Sequence, residues 1–198
     1  MNYILVLAVS YLLGSIPFGL PMGKWWSKVD VREHGSGNIG MTNVLRTAGY
    51  LPALFTLVGD VGKGVVATAL ANRLIGDPFF SLLAGTFAVI GHNWSLFLGF
   101  KGGKGVATIA GVLFTLRPAV AAVLLLVWIV ILALFRYISL ASICTALALP
   151  IILLFFGVGW AELILAIIVS SFTIYRHRSN IQRLRQGTEF RFGEKVKH

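Results

Sequence analysis

The sequence has little cysteine, few acidic residues and no polar linker. Its one cysteine, Cys144, cannot form a disulfide bond within the chain, and its place in an apolar segment favours a packing role over a reactive thiol. Aspartate and glutamate together number 7, against 17 lysines and arginines. No Pro/Ser-rich stretch or soluble module divides the 198 residues, so we expect one domain over 1–198 that ends in a basic tail at 176–198.

Long apolar segments make up most of the chain. Hydrophobic residues account for 57% of it, and the mean hydropathy is +0.85. The apolar segments cover residues 3–20, 51–75, 79–100, 106–116, 119–135, 140–156 and 160–174. Because these runs exceed what a soluble core requires, we predict an all-α, polytopic integral membrane helical bundle with seven transmembrane segments.

The fourth apolar segment is too short to cross a bilayer by itself. About 11 residues at ~1.5 Å each reach only ~17 Å of the ~30 Å hydrocarbon thickness. We expect this segment to be partly buried or to start deep in the membrane, unless residues 101–105 supply its first turns. A kinked fusion with the fifth segment across Arg117 and Pro118 is the alternative.

The distribution of basic residues predicts the orientation of the spans. Lys24, Lys28 and Arg32 follow the first segment, which indicates a retained span with its N-terminus outside rather than a signal peptide. Seven spans leave only Arg73 and Arg117 on the outer side. Fusing the fourth and fifth segments would put the basic tail outside, so we predict seven spans, a tight outer turn after the fourth, and a cytoplasmic C-terminus. The sequence has no helical basic face with interleaved aromatic residues, so nucleic acid is not an expected partner.

Three polar clusters interrupt the apolar chain, at 35–46, 91–105 and 176–189. Hydrocarbon tolerates charge and bare backbone poorly, so such clusters need water, protein partners or a substrate. All three, together with Ser139 and Ser142 at the start of the sixth segment, fall at predicted cytoplasmic ends. We therefore predict that they share one site.

The first cluster reads Gly-Ser-Gly-Asn-Ile-Gly-Met-Thr-Asn-Val-Leu-Arg and has no apolar face typical of an ordinary helix. Its glycines permit left-handed turns whose amides form an anion nest, and its arginine can grip a phosphate with two hydrogen bonds. A glycine-rich membrane re-entry with Asn capping a short following helix is the alternative. The candidate residues are Ser36, Gly37, Asn38, Thr42, Asn43 and Arg46.

The second cluster places two lysines in a glycine loop directly before a helix, where amides, helix dipole and ammonium groups can converge on an anion. A Walker A motif is excluded because its spacing fails and Gly105 stands where a hydroxyl would be needed. The alternative is a pair of lysines that only obey the positive-inside rule. The candidate residues are Lys101, Gly102, Gly103, Lys104 and Gly105, preceded by His92 and Asn93.

Two further features concern ionisable groups within the spans. His92 is either a hydrogen-bonded helix contact or an acid or base. Asp60 and Lys63 are three residues apart in the second segment, and we favour a structural ion pair over a proton relay because two charges buried in a membrane must neutralise each other.

The third cluster begins with a run of arginines typical of an anchor on anionic lipid headgroups. His177 and Asn180 differ from that run, since their spacing would put both on one helix face, able to donate to a single ligand. Glu189 is expected to bind a neighbouring arginine and to fix the fold of the tail.

In these motifs the sequence resembles the bacterial acyl-phosphate-dependent glycerol-3-phosphate acyltransferases, a family of integral inner-membrane enzymes, over nearly its whole length. Ser36 and Arg46 match the serine and arginine held essential in the family's first motif. The family's phosphate loop fits residues 91–107, and its final His, Asn and Glu fit His177, Asn180 and Glu189.

The resemblance implies acyl transfer from acyl phosphate to the first-carbon hydroxyl of glycerol 3-phosphate, with a cytoplasm-facing site in the inner membrane. No metal or other cofactor is demanded, because acyl phosphate is already activated. We expect a monomer close to the acyl-phosphate-forming enzyme, with membrane lipid and both substrates as partners. The catalytic candidates are Ser36, Arg46, Lys104, His177 and Asn180, and Ser142 joins the substrate-binding candidates.

The proton acceptor is left open by the sequence. Neither His92 nor His177 is followed by an Asp four residues later, as in other glycerolipid acyltransferases. Our hypothesis is that the acyl phosphate's own oxygen accepts the hydroxyl proton, and a His base is the rival. A small-anion transporter and a non-catalytic scaffold of lipid-synthesis enzymes are the alternative functions.

Overall fold

The computed structural model describes residues 2–194, and over that range the chain contains helices and no strands. The predicted tail therefore continues outside the described residues from 195 to 198. The helices are α1 (Tyr3–Ser15), α2 (Gly19–Ser27), α3 (Met41–Thr47), α4 (Tyr50–Ile75), α5 (Pro78–Asn93), the 3₁₀ turn η1 (Leu96–Leu98), α6 (Val106–Leu116), α7 (Pro118–Phe135), α8 (Ile138–Phe155), α9 (Trp160–Arg176) and α10 (Arg178–Arg185).

Every apolar segment delimited in the sequence contains an α-helix. Five helical stretches are long and apolar enough to cross a membrane: Tyr3–Ser27, Tyr50–Ile75, Pro78–Leu98, Pro118–Phe135 and Ile138–Phe155. The 11-residue α6 and the 17-residue α9 are shorter. The prediction of an all-helical, multi-pass membrane protein is thereby confirmed, and the count of seven spans stays a prediction.

The fourth and fifth segments form separate helices. Helix α6 ends at Leu116 and α7 begins at Pro118, with Arg117 in a non-helical conformation between them. Proline suits the first position of a helix, because its missing N–H has no acceptor there anyway. Residues 101–105 are irregular and add no turn to α6, which leaves that helix about 17 Å long.

The first segment, expected as a span at 3–20, is broken into two helices and extends beyond residue 20. Helix α1 ends at Ser15, and α2 begins only at Gly19. Pro17 disfavours the helical conformation for Ile16, so the helix ends just before it. Helix α2 then extends to Ser27, well past the predicted boundary.

The described chain comprises two compact units, one up to Thr115 and one from Leu116 to Glu194. In the first unit α1 runs alongside α5 in the same direction, with the Tyr3 and Phe80 rings 4.9 Å apart at one end. At the other end the Tyr11 hydroxyl donates to the Trp94 carbonyl at 2.8 Å. Helix α6 approaches α4 so closely that a Cβ at Gly64 would overlap the Thr108 backbone. The single-domain prediction stays a prediction.

In the second unit α7, α8 and α9 pack in sequence, and α10 contacts α8 and α9. Arg117, before α7, donates to both carboxylate oxygens of Glu162 in the first turn of α9, at 2.8 and 3.0 Å. The N-terminal ends of α7 and α9 therefore lie together. The C-terminal end of α9 and the short α10 carry the third polar cluster.

Candidate active site

Asn43 organises the loop that carries Ser36. Its side chain is buried, with 1% of the residue exposed. Its Oδ1 accepts a hydrogen bond from the Ser36 amide at 2.8 Å, and its Nδ2 donates to the carbonyls of Val31, His34 and Asn38 at 2.7 to 3.1 Å. A polar group buried in this way positions the loop rather than reaching out to a ligand. The substrate-binding role that we predicted for Asn43 stays a prediction, and the positioning role was not foreseen.

Part of the first cluster is helical, which corrects the expectation that it lacks an apolar face. Helix α3 forms because Val44 packs in a buried cluster with Val31, Ile39 and Ala53. Arg46 lies in the last turn of this helix and is half-buried. Before the helix, Asn38 Oδ1 accepts from the Gly40 amide at 2.8 Å. Thr42 lies in the first turn and is also half-buried, so the helix orders both candidates.

The loop between α2 and α3 is tied down by Asp30. Its carboxylate accepts two hydrogen bonds from the Arg32 guanidinium, at 2.9 and 2.7 Å, and lies 3.2 Å from the Lys24 ammonium group. The hydrogen bonds from Arg32 hold the pKa of Asp30 well below its usual range. Asp30 is therefore ionised at neutral pH, and it joins the end of α2 to the loop before Ser36.

The second cluster folds back over the C-terminal end of α5. The Gly103 amide donates to the His92 carbonyl at 2.9 Å, and the Gly102 amide donates to the Asn93 carbonyl at 3.2 Å. A Cβ at Gly103 would overlap Nε2 of His92, so only glycine fits there. Lys101 is exposed and Lys104 is half-buried. The predicted glycine loop before a helix is thus present, and it rests on the end of α5.

The N-terminus of α6 offers donors to an anion. The amides of Val106, Ala107 and Thr108 have no intrahelical acceptor by position. Next to them lies Asn93, which is 1% exposed and whose side-chain nitrogen and oxygen make no hydrogen bond among the described residues. Its Oδ1 is the atom nearest to a Cβ built on Gly105. A buried amide without partners beside a helix N-terminus is typical of a site that a ligand completes.

Asp60, Lys63 and His92 form a buried ionic cluster in the first unit. The Lys63 ammonium lies 2.9 Å from Oδ1 of Asp60, and Nδ1 of His92 lies 3.4 Å from the same oxygen. Lys63 also donates to the Ile16 carbonyl at 3.1 Å. The structure thus contains the expected ion pair between Asp60 and Lys63. It also brings His92 next to Asp60, a contact that the sequence did not predict.

The first two polar clusters lie at the same end of the first unit. Leu98, in the turn before the glycine loop, packs against the buried cluster that holds α3. The hydroxyl of Ser95 donates to the Ser15 carbonyl at 2.6 Å, which fixes that turn to the end of α1. Apolar packing therefore brings residues 35–46 and 91–105 together, and the buried hydrogen bond fixes the second of these segments to α1.

The third cluster lies in the second unit and differs from its prediction. His177 occupies the break between α9 and α10, so it and Asn180 do not share one continuous helix face. Both are nevertheless buried, at 3% and 4% exposure. Nδ1 of His177 lies 2.7 Å from the Thr173 carbonyl. Because a carbonyl can only accept, Nδ1 carries the proton, and Nε2 is the basic nitrogen of the neutral ring.

Glu189 accepts hydrogen bonds from three polar side chains of the second unit. Its Oε1 accepts from Asn180 Nδ2 at 2.8 Å and from the Ser139 hydroxyl at 3.0 Å. Its Oε2 accepts from Arg183 Nε at 2.7 Å. The expected contact between Glu189 and a neighbouring arginine is present. Ser139 was noted in the sequence but not chosen as a site residue, and no local signal links it to a residue 50 positions away.

Ser142, a predicted substrate-binding residue, is buried within α8. Its hydroxyl donates to the Ile138 carbonyl at 2.9 Å and accepts from the Trp128 indole at 3.2 Å. These bonds join α7 to α8 within the second unit. The Ser142 hydroxyl thus both donates and accepts within the protein, and its predicted substrate-binding role stays a prediction.

A multi-pass helical membrane protein with a basic glycine loop at a helix N-terminus is the class that these features define. The chain belongs to the glycerol-3-phosphate acyltransferase family, whose model matches residues 4–187. It is 48% identical over 189 residues to a glycerol-3-phosphate acyltransferase of Desulforudis audaxviator, covering 96% of this chain and 95% of that protein. The protein of the same name from Listeria monocytogenes is 46% identical over 191 residues, or 96% of each chain.

Two solved structures have the same fold. The crystal structure of PlsY, an integral membrane glycerol 3-phosphate acyltransferase, in its glycerol 3-phosphate form superposes with a TM-score of 0.91 at 41% identity, covering 96% of each chain. Its lysophosphatidic acid form gives a TM-score of 0.88 at 41% identity, covering 96% of this chain and 95% of that one.

Proposed function

We propose that this chain transfers a fatty acyl group from acyl phosphate to the first-carbon hydroxyl of glycerol 3-phosphate in phospholipid synthesis. The products are lysophosphatidic acid and inorganic phosphate. Family membership and relatives that carry the name glycerol-3-phosphate acyltransferase over nearly their full length support this function. The solved relative with forms named for glycerol 3-phosphate and lysophosphatidic acid supports the same acceptor and product.

The strongest structural support for this function is the set of hydrogen-bond donors at the start of α6. Lys104 and Gly105 directly precede three amides without intrahelical acceptors, and the buried Asn93 amide lies next to Gly105. The segment that contains Arg46 lies at the same end of the first unit. Both proposed substrates carry phosphate, which such donors bind well. A membrane helix bundle also suits a substrate with a long alkyl chain.

The chemistry assigned to this chain is orientation and charge stabilisation. Ser36, Arg46, Lys101 and Lys104 orient the substrate phosphates in this proposal, and we assign the same role to His177 and Asn180, which match the family's final motif. The glycerol hydroxyl oxygen attacks the acyl carbon, the bond from that carbon to the phosphate oxygen breaks, and the departing phosphate takes the hydroxyl proton. No protein base and no metal is required by this step.

A histidine base is the alternative route for the proton. His177 presents Nε2 as its basic nitrogen, whereas Nε2 of His92 lies against Gly103. A general base typically contributes ~10²–10⁴ in rate. If replacing both histidines by Gln leaves turnover within about tenfold, a histidine base is excluded.

The chain's orientation in the membrane is part of the proposal. Seven spans, an outer N-terminus and a cytoplasmic C-terminus put the predicted site on the cytoplasmic face of the inner membrane, and the basic residues favour this arrangement. The proposed form is a monomer, close to the enzyme that makes acyl phosphate. Labelling of single cysteines by an impermeant thiol reagent tests the topology, with positions 49 and 187 expected inside and 76 and 158 outside.

The activity itself is tested with purified protein in detergent, given acyl phosphate and labelled glycerol 3-phosphate. We expect labelled lysophosphatidic acid and one phosphate released per product. Folded protein that yields no lipid product would refute the acyltransferase proposal. A small-anion transporter or a non-catalytic scaffold would then be favoured, and uptake of labelled anion into proteoliposomes separates these two.

A further inference from the structure

A buried ionic cluster lies beside the glycine loop in the first unit. Asp60 and Lys63, both in α4, are 3% and 4% exposed. Oδ1 of Asp60 lies 2.9 Å from the Lys63 ammonium and 3.4 Å from Nδ1 of His92. Ion pairs buried in this way stabilise little by themselves, because desolvation offsets the attraction. Charged groups inside a membrane segment therefore suggest a further role.

Each residue of this pair contacts the end of a different helix. The Lys63 ammonium donates to the Ile16 carbonyl at 3.1 Å, where the chain breaks between α1 and α2. On the other side, Asp60 faces His92 in the last turn of α5. The cluster therefore connects the break after α1 with the end of α5.

His92 carries this connection to the glycine loop through two contacts. Its carbonyl accepts the hydrogen bond from the Gly103 amide at 2.9 Å. Its ring lies so close to Gly103 that a Cβ there would overlap Nε2. The orientation of the His92 ring therefore sets where Gly103, and the Lys104 that follows it, can lie.

We propose that the Asp60–Lys63 pair is a positioning device for the glycine loop and that it acts through His92. This inference rests on the proposed phosphate-binding role of that loop. Asp60 fixes the ring of His92, and the ring supports Gly103. Lys63 neutralises Asp60 and attaches the pair to the Ile16 carbonyl. Asp60 and Lys63 are thus positioning residues that act without touching substrate, and their contacts to a histidine and a backbone carbonyl account for them without a proton relay.

The test separates positioning from bulk stability. Lys63→Met leaves Asp60 without its buried counter-charge, so Tm should fall. The double variant Asp60→Leu/Lys63→Met removes both charges while filling the space, and such replacements often restore stability. We expect Tm to recover in the double variant. The glycine loop should nevertheless remain poorly positioned, which we call the loop defect, because His92 still lacks the carboxylate of Asp60.

Two measurements report the loop defect. Amide hydrogen exchange at Gly102 and Gly103 should rise by about tenfold in the double variant, since the hydrogen bonds of these amides to α5 open more often. The KM for the substrate whose phosphate the loop binds should rise by about tenfold, with a smaller change in kcat and in the KM of the other substrate. Arg117→Gln, which breaks the exposed ion pair to Glu162, is the matched control and should change neither value.

Wild-type exchange and wild-type KM in the double variant would overturn the proposal. If that variant does not fold, Asp60→Val/Lys63→Met removes both charges with a smaller side chain at position 60. Its exchange at Gly103 should still rise, and unchanged exchange there would overturn the proposal equally. Because exchange does not depend on catalysis, an inactive wild-type protein would refute the acyltransferase function without deciding this inference.

Discussion

The backbone amide of Ser36 donates a hydrogen bond to the side-chain oxygen of Asn43, 2.8 Å away and seven residues further along the chain. This bond places the serine of the first motif by means of a residue in the short helix that follows it. The same amide group of Asn43 donates to three carbonyls of the loop. One buried side chain therefore determines the shape of the segment around Ser36.

Replacing Asn43 by Ala should unfold this segment. Each buried group left without a hydrogen bond costs about 1–3 kcal/mol, so we expect a clear fall in thermal stability. Turnover should fall by at least about tenfold, since Ser36 loses its fixed position. Asn72→Ala, at an exposed position in α4, is the control. Wild-type turnover in Asn43→Ala would contradict the positioning role.

Gly103→Ala should displace the glycine loop, because the added methyl group would overlap the His92 ring. We expect the KM for a phosphate-bearing substrate to rise by about tenfold or more, measured from initial rates at saturating levels of the other substrate. Gly62→Ala is the matched control, since a Cβ there meets nothing within 4 Å and alanine favours a helix. Equal kinetics for the two variants would show that the close contact is unimportant.

Glu189→Gln should loosen the end of the second unit. Asn180 keeps one possible acceptor, but Arg183 loses its charged partner at 2.7 Å. A charge-assisted hydrogen bond to a buried carboxylate contributes about 1.5–3 kcal/mol, which sets the expected loss of stability. Glu194→Gln, at an exposed position, is the control. Thermal unfolding in detergent measures both, and equal Tm values for both variants and the wild type would refute the role of Glu189.

The contribution of Asp30 should depend on pH in a defined direction. The pKa of Asp30 is depressed in the folded protein by its hydrogen bonds to Arg32, so its stabilising effect is fully present above the unfolded value of about 3.9. That effect is lost as pH falls below this value towards the depressed folded pKa. It amounts to at most about 1 kcal/mol, because Arg32 and Lys24 are half-exposed.

The measurement is the difference in unfolding free energy between wild type and Asp30→Asn across pH. We expect it to be constant from pH 8 to pH 5 and to shrink at lower pH. Glu33→Gln, an exposed neighbour, provides the control. A difference that already declines between pH 7 and pH 5 would contradict this assignment.

Helix positions were predictable from the sequence because long apolar runs leave few other structures in a membrane. The break at Pro17 was missed although its signal was present, since Phe18 and Leu20 continue the apolar pattern. A short helix here was expected only in the alternative interpretation of the first cluster. Val44 is the only fully buried apolar residue of α3, and the surface it packs against lies elsewhere in the chain.

The motifs located the candidate residues but not their partners. The spacing of Asp60 and Lys63 pointed to an ion pair, whereas the approach of His92 depends on how α4 and α5 pack. The contact between Ser139 and Glu189 joins residues 50 positions apart. Such bonds follow from tertiary packing, so no local pattern could have predicted them.

The bond between Lys63 and the Ile16 carbonyl also bears on how the protein is assembled. These residues are 47 positions apart, so the carbonyl at the end of α1 has no such donor while only the first segment has been made. An unsatisfied carbonyl in hydrocarbon is costly. We therefore expect the first segment to remain close to water or to the insertion machinery until α4 has been synthesised, and to settle into lipid together with it. Nascent chains that stop before residue 63 should remain cross-linkable to that machinery, whereas chains that include all of α4 should not.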